Sequence, residues 1–154
     1  MADLDRFLDA QDTPAGTGTV FERALAELYG GRKTSHWMWF VFPQAAGVAE
    51  WHGATPSPTA RRFSIAGRAE AAAYLDHPTL GPRLVAAFEA ALASGETYPK
   101  RLMGGIDAAK LKSCATLFAI IDAERGGQRA VFAEALARFY GDARCPATEA
   151  LLSR

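Results

Sequence analysis

The apolar residues of this chain recur mainly at the spacing of amphipathic helices. In the middle of the chain, Leu80, Leu84, Phe88 and Leu92 lie four residues apart and would share one face of a helix. Equivalent stripes elsewhere predict about six or seven helices, and the chain contains no internal repeat. The predicted helices lie near residues 3–12, 19–29, 66–75, 79–94, 107–121, 128–140 and 149–152.

Polar residues and glycines stand where several of these helices should begin or end. Thr19 is followed three residues later by Glu22, which is the pattern of a capping box. Gly30 and Gly31 are expected to end the same helix, because glycine adopts the left-handed conformation at little cost. The other predicted caps are Asp3, Asp107 and Thr148.

Two neighbouring segments depart from the amphipathic pattern. The segment from Arg32 to Gln44 places two Trp, two Phe, a Met and a Val beside two cations and a His. Such a segment should be buried on most sides, either as a central helix or as an extended core segment. From Ala45 to Thr59 the chain is rich in Gly, Pro, Ser and Thr. We interpret these residues as a long loop of about 15 residues, a length that usually indicates function or disorder.

The amino-acid composition favours helix over strand. Alanine supplies about a fifth of the 154 residues, whereas valine and isoleucine together supply only nine, and β-branched residues provide much of the strand propensity. A chain of this length buries roughly two-thirds of its unfolded surface, which is enough for one core. We therefore predict an all-α fold, in one compact domain packed around the aromatic segment.

Charge and hydropathy exclude several classes of partner. The 17 Lys and Arg residues balance 17 Asp and Glu residues, which argues against a general nucleic-acid binder. No apolar run approaches the roughly 20 residues that cross a bilayer, and the first residues do not resemble a signal peptide. Two cysteines are too few for a disulfide scaffold. We expect a soluble cytoplasmic protein without a membrane partner, and the sequence predicts no particular oligomeric state.

Cations and polar side chains next to the aromatic segment suggest a ligand pocket. Lysine and arginine hold phosphate or carboxylate groups, and a tryptophan face stacks on a planar ring. A helix start after Gly104 and Gly105 could add backbone N–H groups for an anion. In the alternative interpretation, the cations offset a helix dipole and the aromatic residues are only core. The predicted ligand-binding residues are Arg32, Lys33, Ser35, Trp37, Trp39, Gln44, Lys110 and Ser113.

The candidates for proton transfer are one histidine and two carboxylates. Histidine can transfer protons under physiological conditions, which makes His36 a candidate, and Glu50 or Asp107 could act as a general acid or base. His77, before a proline, is interpreted as a corner residue that bonds the backbone, and Cys114 as a small core residue. No spacing matches a metal site, so we predict neither a metal nor a cofactor.

Short motifs along nearly the whole chain carry a resemblance to a known family. They are Asp5-Arg6-Phe7, Asp9-Ala10-Gln11, Gly31-Arg32-Lys33, Ser35-His36-Trp37-Met38-Trp39-Phe40, Phe42-Pro43-Gln44 and His77-Pro78. In this order they resemble the DUF1810 family of small bacterial and fungal proteins. The resemblance implies a helical single-domain protein, and it implies no activity, because the biochemical function of that family is not established.

The order of a few residues is also similar to that of the NADAR group, which has N-glycosidase activity on ADP-ribosyl or related compounds. The shared features are a buried aromatic helix, a His-Pro-x-Leu corner such as His77 to Leu80, and a Gly-Asp-Lys helix start. This similarity implies a pocket between residues 32–44 and 104–113, with cations on phosphate and Trp37 or Trp39 against a ring. It also implies that Glu50 or Asp107 assists the glycosidic step.

Two hypotheses of function follow. In the first, the protein binds a small polar nucleotide-like ligand of the ADP-ribose type, and hydrolysis of that ligand is an extension of the same hypothesis. In the second, it is a non-catalytic protein interaction module, whose polar residues support the fold while an apolar groove takes a partner helix or strand. Polar side chains converging in a concave pocket would favour the first hypothesis, and a flat apolar patch would favour the second.

Overall fold

The computed structural model describes residues 3–154, of which most are helical. Helix accounts for 63% and strand for 4% of the structure. The elements are α1 (Asp5–Gln11), β1 (Pro14–Ala15), β2 (Gly18–Thr19), α2 (Val20–Tyr29), α3 (Met38–Val41), α4 (Val48–Trp51), α5 (Pro58–Phe63), α6 (Arg68–Asp76), α7 (Leu80–Ala93), α8 (Pro99–Met103), α9 (Gly105–Glu124), α10 (Val131–Tyr140) and α11 (Pro146–Leu152). The strands β1 and β2 form a short antiparallel hairpin.

Helix α9 is the centre of the fold. Helices α6, α8, α10 and α11 all pack against it, while α7 packs against α2, α6 and α10. Half of the 20 residues of α9 are buried, on more than one of its faces, as expected for a helix surrounded by others. The position of the first turn of α9 is therefore fixed by tertiary packing.

A chain of aromatic rings runs through the core and ends at the segment after α2. Successive ring centroids lie 4.9–6.1 Å apart, a separation typical of attractive aromatic pairs. The rings connect α1 through α6, α9, α10 and α7 to the residues around α3. In order they belong to Phe7, Tyr74, Phe118, Phe132, Phe88, Phe42 and Trp37.

Two polar side chains of α1 fasten this helix to the remainder of the domain. Arg6 makes an ion pair of 2.8 Å with Glu70 of α6. Gln11 is almost completely buried, and its Nε2 donates hydrogen bonds to the Phe40 carbonyl at 2.7 Å and the Tyr74 hydroxyl at 3.3 Å. Since unpaired buried polar groups are costly, these bonds specify how α1 packs. The motifs at the start of the chain thus have structural roles.

Several sequence predictions are confirmed. Thr19 and Glu22 form the capping box, with bonds of 2.9 and 3.2 Å, and Gly31 has the left-handed conformation, with φ of 83°. Nδ1 of His77 accepts backbone N–H groups at the start of α7. Cys114 is completely buried, and burial raises the pKa of its thiol. The local sequence patterns at these positions therefore predicted the structure correctly.

The number of helices and the irregular segments differ from prediction. The described residues form 11 helices instead of six or seven. Between Arg32 and Gln44 only α3 is helical, and the expected loop 45–59 contains α4 and the start of α5. Helix α5 begins there because Ser57 accepts the Ala60 N–H at 3.1 Å and Pro58 takes the first helical position.

Three predicted caps were wrong. The N-cap of α1 is Leu4 instead of Asp3, and residues 14–19 form the hairpin. Gly104, with φ of 88°, precedes α9 and leaves Asp107 inside the first turn. Thr148 lies within α11, where its hydroxyl pairs with Ser113 at 2.9 Å. The side chains of Asp107 and Thr148 thus contact residues of other parts of the fold and do not cap a helix.

The close approach of α6 and α7 gives a test of the packing. A Cβ at Gly81 would clash with the backbone carbonyl of Leu75, whereas a Cβ at Gly105 would meet nothing within 4 Å. We expect Gly81→Ala to lower the free energy of unfolding by about 3 kcal/mol, because the backbone must shift. Gly105→Ala should change it by less than about 0.5 kcal/mol. Urea denaturation measures both, and equal stabilities of the two variants would contradict this packing.

Candidate ligand-binding site

A cleft lies between the residues that precede α3 and the first turn of α9. We call it the α9 cleft, and its open volume is about 400 Å³. One wall comes from residues 33–39 and the other from residues 103–110. The lining residues are Lys33, His36, Met38, Trp39, Met103, Gly104, Gly105, Ile106, Asp107 and Lys110.

The first turn of α9 gives the floor of the cleft a positive electrostatic character. Gly104, Gly105 and Ile106 all line the cleft, and they are the N-cap and the first two residues of a helix of 20 residues. The first N–H groups of a helix have no partner inside it, and the helix dipole adds partial positive charge there. The floor can therefore donate hydrogen bonds to an anion.

Two lysines hold the Asp107 carboxylate between them. Lys33 Nζ lies 2.9 Å from Oδ2 of Asp107, and its side chain is only 8% exposed. The same ammonium donates to the Ser35 carbonyl at 2.6 Å. Lys110 Nζ lies 3.8 Å from Oδ1 of Asp107 and 5.2 Å from the centre of the Trp39 ring. These contacts fix two ammonium groups and one aromatic face within one concave site.

A second depression adjoins the α9 cleft and contains additional cations. We call it the basic depression; its volume is about 530 Å³, and it shares Lys33, Met103 and Gly104 with the α9 cleft. It adds Arg32, Lys100 and Arg101. Five cationic side chains and one carboxylate thus line the two depressions, although the whole chain has no net charge. This local excess of positive charge attracts anions.

The wall of residues 33–39 is held in place by Glu27, near the end of α2. The Glu27 carboxylate accepts four hydrogen bonds: from Thr34 N at 2.7 Å, Ser35 N at 3.0 Å, Ser35 Oγ at 2.6 Å and Trp37 Nε1 at 3.0 Å. Hydrogen bonds to a charged acceptor are stronger than neutral ones. Glu27 therefore determines the path of the chain between α2 and α3.

The pKa of Glu27 reflects this network. Burial alone would raise the pKa, but the hydrogen bonds from Ser35, Thr34 and Trp37 outweigh burial. Together they lower the pKa of this carboxyl from 4.5 to about 2. Glu27 is consequently ionised at any physiological pH, and the segment that it holds stays fixed.

The structure brings together five of the predicted site residues in the α9 cleft. They are Lys33, His36, Trp39, Asp107 and Lys110. Arg32 lies in the adjoining basic depression. Gln44 and Glu50 line a separate small cavity beside α4, which Trp39 and Lys110 also border. A carboxylate at position 50 is therefore in a different cavity from Asp107.

Three predicted ligand-binding residues have other roles. Trp37 is completely buried in the core, and its indole N–H bonds Glu27. The Ser35 hydroxyl also donates to Glu27. Ser113 is buried and pairs with Thr148 of α11. None of these three side chains lines the α9 cleft or the basic depression.

The sequence analysis missed Glu27 and the cations of α8, Lys100 and Arg101. One signal for Glu27 was present: it is a carboxylate in the last turn of a helix, where it opposes the helix dipole. A carboxylate at the end of a helix is favourable only when hydrogen-bond donors bind it. Here the donors belong to the segment after Gly31. No comparable signal marks Lys100 or Arg101, because exposed lysine and arginine are common in any helix.

Residues 3–154 contain no group of three or more His, Cys, Asp or Glu side chains placed to hold a metal ion. None of the helices in this part of the chain combines the length and the apolar character required to cross a membrane.

The geometry defines a helical domain with a cationic cleft, and comparison with known proteins identifies its family. The chain belongs to the family described as protein of unknown function (DUF1810), whose model matches residues 1–152. It is also similar to the conserved hypothetical protein Rv1873 from Mycobacterium tuberculosis, with 38% identity and a TM-score of 0.84. The match covers 99% of this chain and 97% of that protein's crystal structure. No curated protein matches the sequence.

Replacing Glu27 tests its role in holding the cleft wall. We expect Glu27→Gln to lower the free energy of unfolding by about 3 kcal/mol at pH 7, because the four donors lose a charged acceptor. The matched control is Glu89→Gln, at an exposed position of α7, which should cost less than about 0.5 kcal/mol. Urea denaturation of the parent and the two variants measures these differences.

The same variant has a defined pH dependence. Because the pKa of Glu27 is lowered in the folded protein, its ionised form stabilises the fold fully above about pH 5 and progressively less as the pH falls toward 2. The difference in stability between the parent and Glu27→Gln should therefore be constant from pH 8 to 6 and shrink below about pH 5. A difference that does not change with pH down to 3 would contradict the assigned pKa.

Proposed function

We propose that this protein binds a small polar, phosphate-bearing ligand of the nucleotide type, such as ADP-ribose, in the α9 cleft. The observation that carries the proposal is the convergence of Lys33, Lys110 and the first turn of α9 beside the face of Trp39. Ammonium groups and helix N–H groups bind phosphate oxygens, and the indole face stacks on a planar base.

Asp107 has two functions in this proposal. Its carboxylate keeps Lys33 and Lys110 close together, so that two like charges face one ligand. Its Oδ1 atom lies 3.8 Å from Lys110 Nζ, which is beyond hydrogen-bond distance. This oxygen can accept a hydrogen bond from a ligand hydroxyl, as the ribose of a nucleotide would supply.

Hydrolysis of the bound ligand is a second candidate function, and one observation favours it. His36 and Asp107 line the same cleft, so that a group able to transfer a proton and a carboxylate face one ligand. In hydrolysis of an N-glycosidic bond, the bond between the anomeric carbon and the base nitrogen breaks. Water supplies a hydroxyl to the carbon, and its remaining proton goes to the nitrogen. We assign the proton transfer to His36 and stabilisation of the positive sugar carbon to Asp107.

A non-catalytic interaction module is favoured by a different observation. Ile106, at the rim of the α9 cleft, is 77% exposed, which is unusual for a large apolar side chain. In this alternative, Ile106 contacts a partner protein, and the cations around it pair with acidic residues of that partner. The ligand measurement below distinguishes the two functions.

A thermal-shift screen tests the proposal directly. The compounds are ADP-ribose, NAD, simple nucleotides and sugar phosphates. A ligand present at a hundred times its dissociation constant adds about 2.7 kcal/mol to the stability of the folded state, which corresponds to several degrees for a domain of this size. We expect such a shift with at least one phosphate-bearing compound, and no shift with the corresponding nucleoside at the same concentration.

One cleft variant and one control locate the binding site. Lys110→Ala should weaken binding about tenfold, because it removes a cation near the phosphate. Lys112→Ala is the control, since Lys112 lies on the same helix but contacts Tyr140 outside the cleft. Equal shifts for all three proteins would place the ligand elsewhere. The absence of a shift with every compound would favour the interaction module.

Hydrolysis is measured separately, on any compound that binds. Chromatography detects release of the base from the sugar, and we expect it for the parent protein. His36→Ala and Asp107→Asn should each lower the rate at least a hundredfold, because general acid–base groups contribute at least this factor. Binding without release of the base, by a folded parent protein between pH 5 and 8, would overturn the hydrolysis candidate and leave ligand binding intact.

A further inference from the structure

The basic depression is lined by more cations than the fold uses in ion pairs. Arg32 and Lys100 line it, and in residues 3–154 neither forms an ion pair with a carboxylate. Arg101 lies 3.7 Å from Glu96 and 4.4 Å from the centre of the Tyr98 ring, with 69% of its side chain exposed. No Asp or Glu lines this depression. Like charges that gather around one concave surface repel each other, and a bound polyanion would relieve that repulsion.

The basic depression and the α9 cleft adjoin each other. They share Lys33, Met103 and Gly104, so that a ligand long enough to cross the start of α9 would contact both. The two depressions differ in chemistry, because Trp39 and Met38 line only the α9 cleft, whereas only cations and glycines accompany Met103 in the basic depression. The aromatic surface of the combined site is thus in the α9 cleft, and most of its cations are in the basic depression.

We propose that the ligand of the α9 cleft is a nucleotide with two or more phosphates, bound in one orientation. Its base lies against Trp39, its inner phosphate lies at Lys33 and the first turn of α9, and its outer phosphates lie among Arg32, Lys100 and Arg101. This inference rests on the proposed function and deepens it, because it specifies the number of phosphates and their direction. It makes the basic depression a phosphate subsite that is distinct from the α9 cleft.

The test compares AMP, ADP and ATP by isothermal titration calorimetry without divalent metal. We expect the affinity to rise about tenfold from AMP to ADP, since the second phosphate reaches a new set of cations. Affinity should rise again or stay equal for ATP. The logarithm of the affinity should also fall more steeply with the logarithm of salt concentration for ADP than for AMP, because more ion contacts form.

Variants of the basic depression separate this inference from the proposed function. The double variant Arg32→Ala/Lys100→Ala should bind ADP about tenfold more weakly and AMP within twofold of the parent. Lys110→Ala should weaken AMP and ADP by similar factors, and Lys112→Ala should change neither. Circular dichroism shows that each variant is folded.

Each outcome has a definite meaning. If AMP and ADP bind equally and the double variant changes neither affinity, the phosphate subsite is wrong while the ligand site of the α9 cleft stands. If the double variant weakens AMP as much as ADP, the proposed orientation is wrong. If none of the three nucleotides binds the folded parent at millimolar concentration, the proposed nucleotide class fails, and this inference fails with it. Pyrophosphate that binds as tightly as ADP would overturn the assignment of the base to Trp39.

Discussion

The four hydrogen bonds accepted by Glu27 are the interaction on which the candidate site depends. They hold the segment between α2 and α3 in an irregular path without regular secondary structure. Loops in proteins are usually mobile because few contacts oppose their conformational entropy. Here a partly buried carboxylate supplies these contacts. As a result, Lys33 in this segment and Trp39 in α3, directly after it, have fixed positions relative to α9.

The core supports the same segment from the other side. Trp37 connects the Glu27 network to the aromatic chain, because its ring lies 6.1 Å from that of Phe42 and its indole N–H bonds Glu27. The Lys33 N–H donates to the Leu102 carbonyl at 2.7 Å, which fastens the segment to α8. The two walls of the cleft therefore belong to one packed unit. Under the proposed function, a preformed site of this kind would need little ordering on binding.

Sequence patterns predicted most helices and part of the site, for physical reasons that differ between the two. Helices α2, α7 and α10 follow from the spacing of apolar residues and from helix caps, both of which depend on residues close together in the sequence. The residues of the cleft follow from tertiary packing. Trp37 and Trp39 are only two residues apart, yet one faces the core and the other faces the cleft. The sequence does not reveal that these two side chains face different ways, because the apolar residues within 32–44 follow no regular period.

The position of residues on α9 explains two further differences. Asp107 and Lys110 are one turn apart and share a face, so both line the cleft. Ser113 lies almost two turns from Asp107, where the helix has turned toward α11. Glu27 was missed because its donors lie seven to ten residues further along the chain. The turn at Gly30 and Gly31 brings them back, and helical periodicity carries no information about that reversal.

The three tryptophans permit one measurement that tests the central claim, a phosphate-bearing ligand in the α9 cleft. Trp37 is completely buried, Trp39 lines the cleft, and Trp51 is 45% exposed on α4. Their indole N–H signals can be followed by nuclear magnetic resonance during titration with ADP. Our account predicts that the Trp39 signal moves, together with the amide signals of Gly104 to Ile106, while the Trp51 signal stays in place. Binding of ADP that moves Trp51 and leaves Trp39 and these amides unchanged would contradict it.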